Sequence, residues 1–216
     1  MNHPELLLVP ALMLSDYYLT VAGARLREGG HAEHFRAQHY EMNPLWQKAI
    51  ARRRWFNPWH LLAVAVVTFL VFDVANLSTD PADPIPPGLF GLVIGLQGMI
   101  NGRHLCNLAT FAYVRRHPDA VNGAVTFGHE FVLRISLFQS FTVLVPLALL
   151  AAIDPAPAIF GATLGVATLI PLHLIWIARF RARSAQLAAA AAGGDSSSTA
   201  SGTSLPPASS SANSPP

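Results

Sequence analysis

Charged side chains are scarce in this sequence. Asp, Glu, Lys and Arg together make up 12% of the residues, whereas soluble domains carry about 25%. The chain also holds a single cysteine, Cys106, which excludes an intrachain disulfide. Hydrophobic residues, in contrast, make up 52% of the chain. This composition argues against an ordinary soluble domain and favours a chain that lies in lipid.

Five apolar stretches are each long enough to cross the hydrocarbon core of a bilayer, which takes about 20 residues. They cover residues 5–24, 58–77, 88–114, 129–153 and 157–178. The sequence therefore predicts an all-α fold, a polytopic transmembrane helix bundle of five spans within residues 1–186. Residues 187–216 are rich in Ala, Ser, Gly and Pro, and we predict that they form a disordered tail.

Basic residues lie on alternate connections between these spans. Of the 14 Lys and Arg residues, only Arg103 and Arg134 fall within a span. The others lie in the first connection, the third connection and the segment after the last span, while the second and fourth connections hold none. Because basic connections stay in the cytoplasm, the pattern predicts an N-out, C-in protein. It indicates a multi-pass protein of the cell membrane, the inner membrane in a prokaryote. We call the end of the bundle that carries the first and third connections, which we predict to be cytoplasmic, the inner end.

The first connection, residues 25–57, is predicted to hold two short helices. One covers residues 31–42. The other is a basic helix over residues 45–55, which follows the start signal Asn43-Pro44. Tryptophan among basic residues is typical of a helix that lies in the headgroup layer. The expected partners are therefore the lipid bilayer and its anionic headgroups. Attraction to these headgroups accounts for the basic charge, so nucleic acid is not an expected partner.

Two short strings carry a resemblance to known proteins. Asp16 and Thr20 form D-x-x-x-T, and a later string reads E-x-N-P. The pair resembles a pattern in small uncharacterised multi-span prokaryotic membrane proteins of the domain-of-unknown-function type. The resemblance implies a membrane location and no activity. The interfacial motif comprises His39, Glu41, Asn43 and Pro44.

Polar residues inside the spans concentrate toward the inner end. Such residues are costly in lipid and usually face protein or water, so they mark a candidate site. We expect Asp16 to pair with Arg103 or Arg134, because an isolated buried carboxylate would take up a proton instead. The candidate cluster comprises Asp16, Thr20, Gln97, Asn101, Arg103, His104, Asn107, Glu130 and Arg134.

Small residues form a stripe along the third span and a shorter one in the fifth. They recur at steps of three and four residues, which places them on one face of a helix. In lipid such stripes let two backbones approach closely. We expect packing within the chain, with a homodimer as the alternative. The residues are Gly88, Gly91, Gly95, Gly98, Gly102, Gly161 and Gly165.

Three functions are compatible with these features. The first is a structural or accessory membrane protein with a polar cluster and no assigned activity. The second is a small proton-linked transporter or channel that works as a dimer, with Asp16, Arg103 and His104 along the path. The third is a metal-dependent intramembrane enzyme that uses Glu41 and histidines. The sequence has no complete H-E-x-x-H, G-x-S-x-G or P-loop motif, so neither a metal, a cofactor nor an enzyme is the favoured expectation.

Overall fold

The computed structural model describes residues 4–28, 35–37, 46–80 and 82–195. Within these ranges the chain is helical except for its connections and two strands of three residues each. The helices are α1 (Leu8–Leu26, preceded by a 3-10 turn at Pro4–Leu7), α2 (Gln47–Ala51), α3 (Pro58–Leu77), α4 (Ile85–Arg116), α5 (His129–Ile153), α6 (Pro157–Ala167) and α7 (Leu169–Asp195). A further 3-10 turn covers Pro118–Ala120, and the strands are β1 (Phe35–Ala37) and β2 (Val125–Phe127).

Five helical segments of the described chain are long and apolar enough to cross a membrane. They are Pro4–Leu26, Pro58–Leu77, Ile85–Arg116, His129–Ile153 and Pro157–Ala190. The prediction of five apolar helices is confirmed, and two of them, α3 and α5, have the predicted bounds. The predicted start of α3 is correct because Asn57 caps the helix. Its Oδ1 accepts the backbone N–H of Trp59 at 3.2 Å and that of His60 at 3.4 Å.

The last predicted span is interrupted at Thr168, between α6 and α7. Pro171 accounts for the break, because it has no N–H to donate to the carbonyl of Ala167 four residues earlier. The Thr168 hydroxyl instead donates to the carbonyl oxygen of Gly165 at 2.6 Å. Beyond the break α7 continues past Leu187, where the predicted tail begins, as far as Asp195. Residues 196–216 lie outside the described residues.

Contacts between helices fix the directions in which they run. Asn101 Nδ2 of α4 donates to the carbonyl oxygen of Leu12 in α1 at 2.9 Å. Further along both helices, Thr20 contacts His104. Therefore α1 and α4 run the same way, as the first and third of five successive spans must. α3 runs against α1, as the second span must.

The fourth and fifth apolar helical segments continue this alternation of directions. Ser136 of α5 contacts His173 of α7, and Leu133, one turn earlier in α5, packs with Ile177, one turn later in α7. The two helices are therefore antiparallel, as the fourth and fifth spans must be.

The two strands link the first and third connections. β1 pairs in parallel with β2, and Phe35 lies opposite Val125. β-Branched and aromatic residues favour this extended pairing. The helix predicted over residues 31–42 is wrong at Phe35–Ala37, and the rest of that segment lies outside the described residues. The pairing places the first and third connections at the same end of the bundle, as the charge pattern requires.

Glycines bring α4 and α6 into backbone contact. A Cβ atom added at Gly161 would overlap the carbonyl oxygen of Gly88, and one added at Gly165 would overlap that of Leu92. Likewise, a Cβ atom added at Gly91 of α4 would overlap the carbonyl oxygen of Ala158 in α6. Because later residues of α4 meet later residues of α6, these two helices also run the same way. The close approach is the one that small residues permit in lipid.

The outer and inner parts of the glycine stripe on α4 differ. Gly95 contacts the backbone of Ala162, but a Cβ atom at Gly98 or Gly102 would meet no atom of the described residues within 4 Å. Packing within the described chain is therefore seen for the outer part of the stripe, and for these two residues it stays a prediction. The partner helix α6 ends at Ala167, two residues after Gly165, so its backbone contact with α4 does not continue to Gly98 and Gly102.

Candidate functional site

The carboxylate of Asp16 lies beside the imidazole of His104. Helix α1 places Asp16 and Thr20 one turn apart, and α4 presents His104 to both. Asp16 Oδ1 is 3.1 Å from His104 Nε2, and the two side chains are 25% and 11% exposed, respectively. Asp16 thus contacts His104, which the sequence analysis does not propose as its partner, while Arg134 pairs with Glu130. Pairing of Asp16 with Arg103 stays a prediction.

The hydrogen bonds of Thr20 determine which nitrogen of His104 carries the proton. The Thr20 hydroxyl donates to the carbonyl oxygen of Asp16 at 2.8 Å. Since its single proton is used there, Thr20 Oγ1 can only accept from His104 Nε2, at 3.2 Å. His104 is therefore protonated on Nε2. Its Nδ1 is buried and has no hydrogen-bond partner among the described residues.

A second polar network joins α4, α5 and α7. Arg103 donates to the hydroxyl oxygen of Ser136. His173 Nδ1 lies 2.6 Å from the carbonyl oxygen of Leu169, so this nitrogen carries a proton. With His173 neutral, its Nε2 accepts the hydroxyl proton of Ser136 at 2.7 Å. Ser136 and His173 are 3% and 1% exposed, respectively, and each of their polar side-chain atoms has a partner.

A third histidine, His60, lies in the first turn of α3. Its Nε2 lies 3.0 Å from the carbonyl oxygen of Met13 and so donates to it. The ring stacks on Tyr17 at a centroid distance of 4.7 Å and meets the edge of Trp46 at 5.5 Å. Its Nδ1 is buried without a hydrogen-bond partner in the described part of the chain.

Side chains from each of these three sites line one cavity of about 120 Å³. That volume is large enough to hold water. Trp46 and Ile50 line the cavity as well, and Ile50 packs against Tyr17. The polar side chains of the lining are Asp16, Tyr17, Thr20, His60, Arg103, His104 and His173.

Four of the nine predicted cluster residues meet in this cavity, namely Asp16, Thr20, Arg103 and His104. The sequence argument missed Ser136 and His60 and gave His173 little weight. The nearest signal was the start motif Asn57-Pro58, which places His60 in the first turn of a helix at the inner end.

The other predicted polar residues lie elsewhere. Asn101 holds α1 against α4 through Ser15, whose hydroxyl donates to its Oδ1 at 2.5 Å, and through Leu12. It also donates to the carbonyl oxygen of Gln97 at 2.8 Å. Arg134 Nε lies 2.9 Å from Glu130 Oε1, one turn earlier on α5. Asn107 is half-buried in α4 and does not line the cavity.

The interfacial motif formed by His39, Glu41, Asn43 and Pro44 lies outside the described residues. Among the residues that are described, no group of three or more His, Cys, Asp or Glu side chains is arranged to hold a metal ion. Cys106 is exposed on α4.

The chain matches no protein-family model, no curated protein and no solved structure.

Proposed function

We propose that this chain is an integral protein of the cell membrane, with five spans, an outward N-terminus and an inward C-terminus. The five apolar helices and their alternating directions support the spans. Large apolar side chains on their surfaces support contact with lipid, for example Phe69, 66% exposed, and Phe138, 60% exposed. The orientation follows from the basic connections.

Cysteine labelling tests the orientation. In a Cys106→Ala background, Ala82→Cys and Ala120→Cys each place one thiol at an exposed site in a connection. A membrane-impermeant maleimide added to intact cells should label the cysteine at position 82, and the one at position 120 only after the membrane is opened. Labelling in the reverse pattern would contradict the orientation.

We further propose that the cavity takes up and transfers protons, as in a proton-linked transporter or channel. The observation that carries this proposal is the Asp16–His104 pair at 3.1 Å beside a cavity large enough for water. The lone pair on His104 Nδ1 can take a proton without breaking any hydrogen bond among the described residues. The imidazolium so formed faces the Asp16 carboxylate, which stabilises its charge. The same carboxylate can itself take the proton and leave His104 neutral.

Arg103 supplies a permanent positive charge on the same cavity. It compensates the carboxylate of Asp16 while His104 is neutral, which lowers the cost of keeping that charge inside the bundle. The hydrogen bond to Ser136 holds the guanidinium against α5. A fixed cation next to a titratable pair supports a site that changes its protonation state.

Infrared spectroscopy tests whether Asp16 titrates. In the purified protein in lipid, the carboxylic acid C=O band grows as the pH is lowered, and one component of it should come from Asp16. That component should be missing from the pH-difference spectrum of Asp16→Asn and retained in Asp80→Asn, which alters an exposed loop carboxylate. A pH-difference spectrum that Asp16→Asn leaves unchanged would rule out proton uptake by Asp16.

The second candidate is a structural or accessory protein whose polar cluster only orients the helices. The observation in its favour is the number of helices that polar contacts join. Asn101 holds α1 to α4, and the series Arg103, Ser136 and His173 holds α4, α5 and α7 together. This candidate predicts that Asp16→Asn alters only the stability of the protein, so a measurement of proton flux separates the two.

A dimer remains a prediction of the transporter hypothesis. The part of the glycine stripe at Gly88, Gly91 and Gly95 is used within the chain, so contact through this stripe would have to use Gly98 and Gly102. The enzyme alternative gains no support from the described residues, and Glu41 lies outside them.

A further inference from the structure

A basic groove lies at the inner end of the bundle, apart from the polar cavity. It has a volume of about 580 Å³ and lies between α2 and the start of α3. Its charged side chains are Lys48, Arg52 and Arg54, all exposed. Its aromatic side chains include Phe56, 68% exposed, and Trp59, 71% exposed.

The turn after α2 builds this groove. The N–H of Arg53 donates to the carbonyl of Ile50 at 2.9 Å, and the N–H of Arg54 donates to that of Ala49 at 3.1 Å. Arg53 has a φ of 49°, so these bonds form the Schellman motif that commonly ends a helix, with arginine in the position usually held by glycine. The motif reverses the chain and brings Arg54 into the groove that Arg52 already lines.

The three cations of the groove have no counter-charge among the described residues. Arg53 forms an ion pair with Glu28. By contrast, Lys48, Arg52 and Arg54 form no ion pair with any residue that the structure describes. The backbone at Arg54 is also held to α1, because its carbonyl oxygen accepts a hydrogen bond from the Tyr17 hydroxyl at 2.7 Å. The groove therefore presents three converging positive charges on a backbone held by hydrogen bonds.

We infer that this groove binds the phosphate group of an anionic phospholipid. Arginine and lysine are the side chains that bind phosphate. Trp59 begins an apolar span, and tryptophan is enriched where the headgroups meet the hydrocarbon. A lipid thus places its phosphate against the cations while its chains lie along the apolar surface of α3. Free inorganic phosphate would neutralise the cations but would make no apolar contact with the exposed aromatic rings.

Lipid retention tests this inference. The full chain is extracted from vesicles that contain equal amounts of phosphatidylglycerol and phosphatidylcholine, and the bound lipid is counted by native mass spectrometry. Phosphatidylglycerol should be enriched on the wild-type protein. The triple variant Lys48→Gln, Arg52→Gln, Arg54→Gln should lose that enrichment, at about fivefold in affinity for each charge removed.

The matched control changes three exposed arginines outside the groove, Arg115→Gln, Arg116→Gln and Arg179→Gln. Enrichment should survive in this control, and an equal loss in both variants would overturn the inference in favour of a general surface charge. Absence of enrichment on the wild type would overturn it as well. Displacement of phosphatidylglycerol from the wild type by millimolar inorganic phosphate would assign the groove to the free ion instead. If the triple variant does not fold, Lys48→Gln alone should still show the fivefold loss.

Discussion

Gly161→Ala is expected to lower the free energy of unfolding by about 3 kcal/mol, the upper end of the usual range for overpacking. The added methyl group would overlap the backbone of Gly88. A backbone cannot rotate away as a side chain can, so α6 has to separate from α4.

Gly98→Ala is the matched control, because it makes the same chemical change in α4 at a position where a Cβ atom would meet no described residue within 4 Å. It should be neutral, or stabilise the helix by up to about 1 kcal/mol because alanine has the higher helix propensity. Unfolding of the reconstituted protein in mixed detergent micelles, followed by circular dichroism, gives both values. Equal losses in the two variants would show that α4 and α6 do not pack through Gly161.

The spans follow from the sequence because length and apolar character largely determine them in lipid. α3 is the clearest case, since Asn57-Pro58 fixes its start and the polar residues after Leu77 fix its end. The break at Thr168 was also encoded in the sequence, in Pro171. The prediction missed it because hydropathy along a span does not detect a missing N–H.

The contacts between side chains at and near the cavity were less predictable from the sequence. The sequence placed Asp16 and His104 in the inner half of the bundle, but the partner of a half-buried carboxylate depends on how two helices rotate against each other. That rotation is set by contacts such as Leu12 with Asn101, and a single sequence does not reveal them. The same reason explains why Ser136 was missed, since an isolated serine in an apolar helix carries no signal until its neighbours are known.

Asp16→Asn is expected to abolish proton movement through the protein. Asparagine has nearly the same shape and can still accept the Nε2–H of His104, so the helices should stay in place. It cannot gain or lose a proton in the physiological range. Flux should fall by about a hundredfold, the low end of what a positioned proton-transfer group contributes. His104→Gln should cause a similar loss, because it removes the other titratable member of the pair.

The most direct measurement of the central claim uses proteoliposomes that contain a trapped pH-sensitive dye. A potassium diffusion potential drives protons inward, and the rate of internal acidification is compared between the wild type, Asp16→Asn and the exposed-loop variant Asp80→Asn. The account predicts acidification by the wild type and by Asp80→Asn, and none above that of protein-free vesicles for Asp16→Asn. Equal rates for all three proteins and for empty vesicles would contradict it, and the polar cluster would then serve only to hold the helices together.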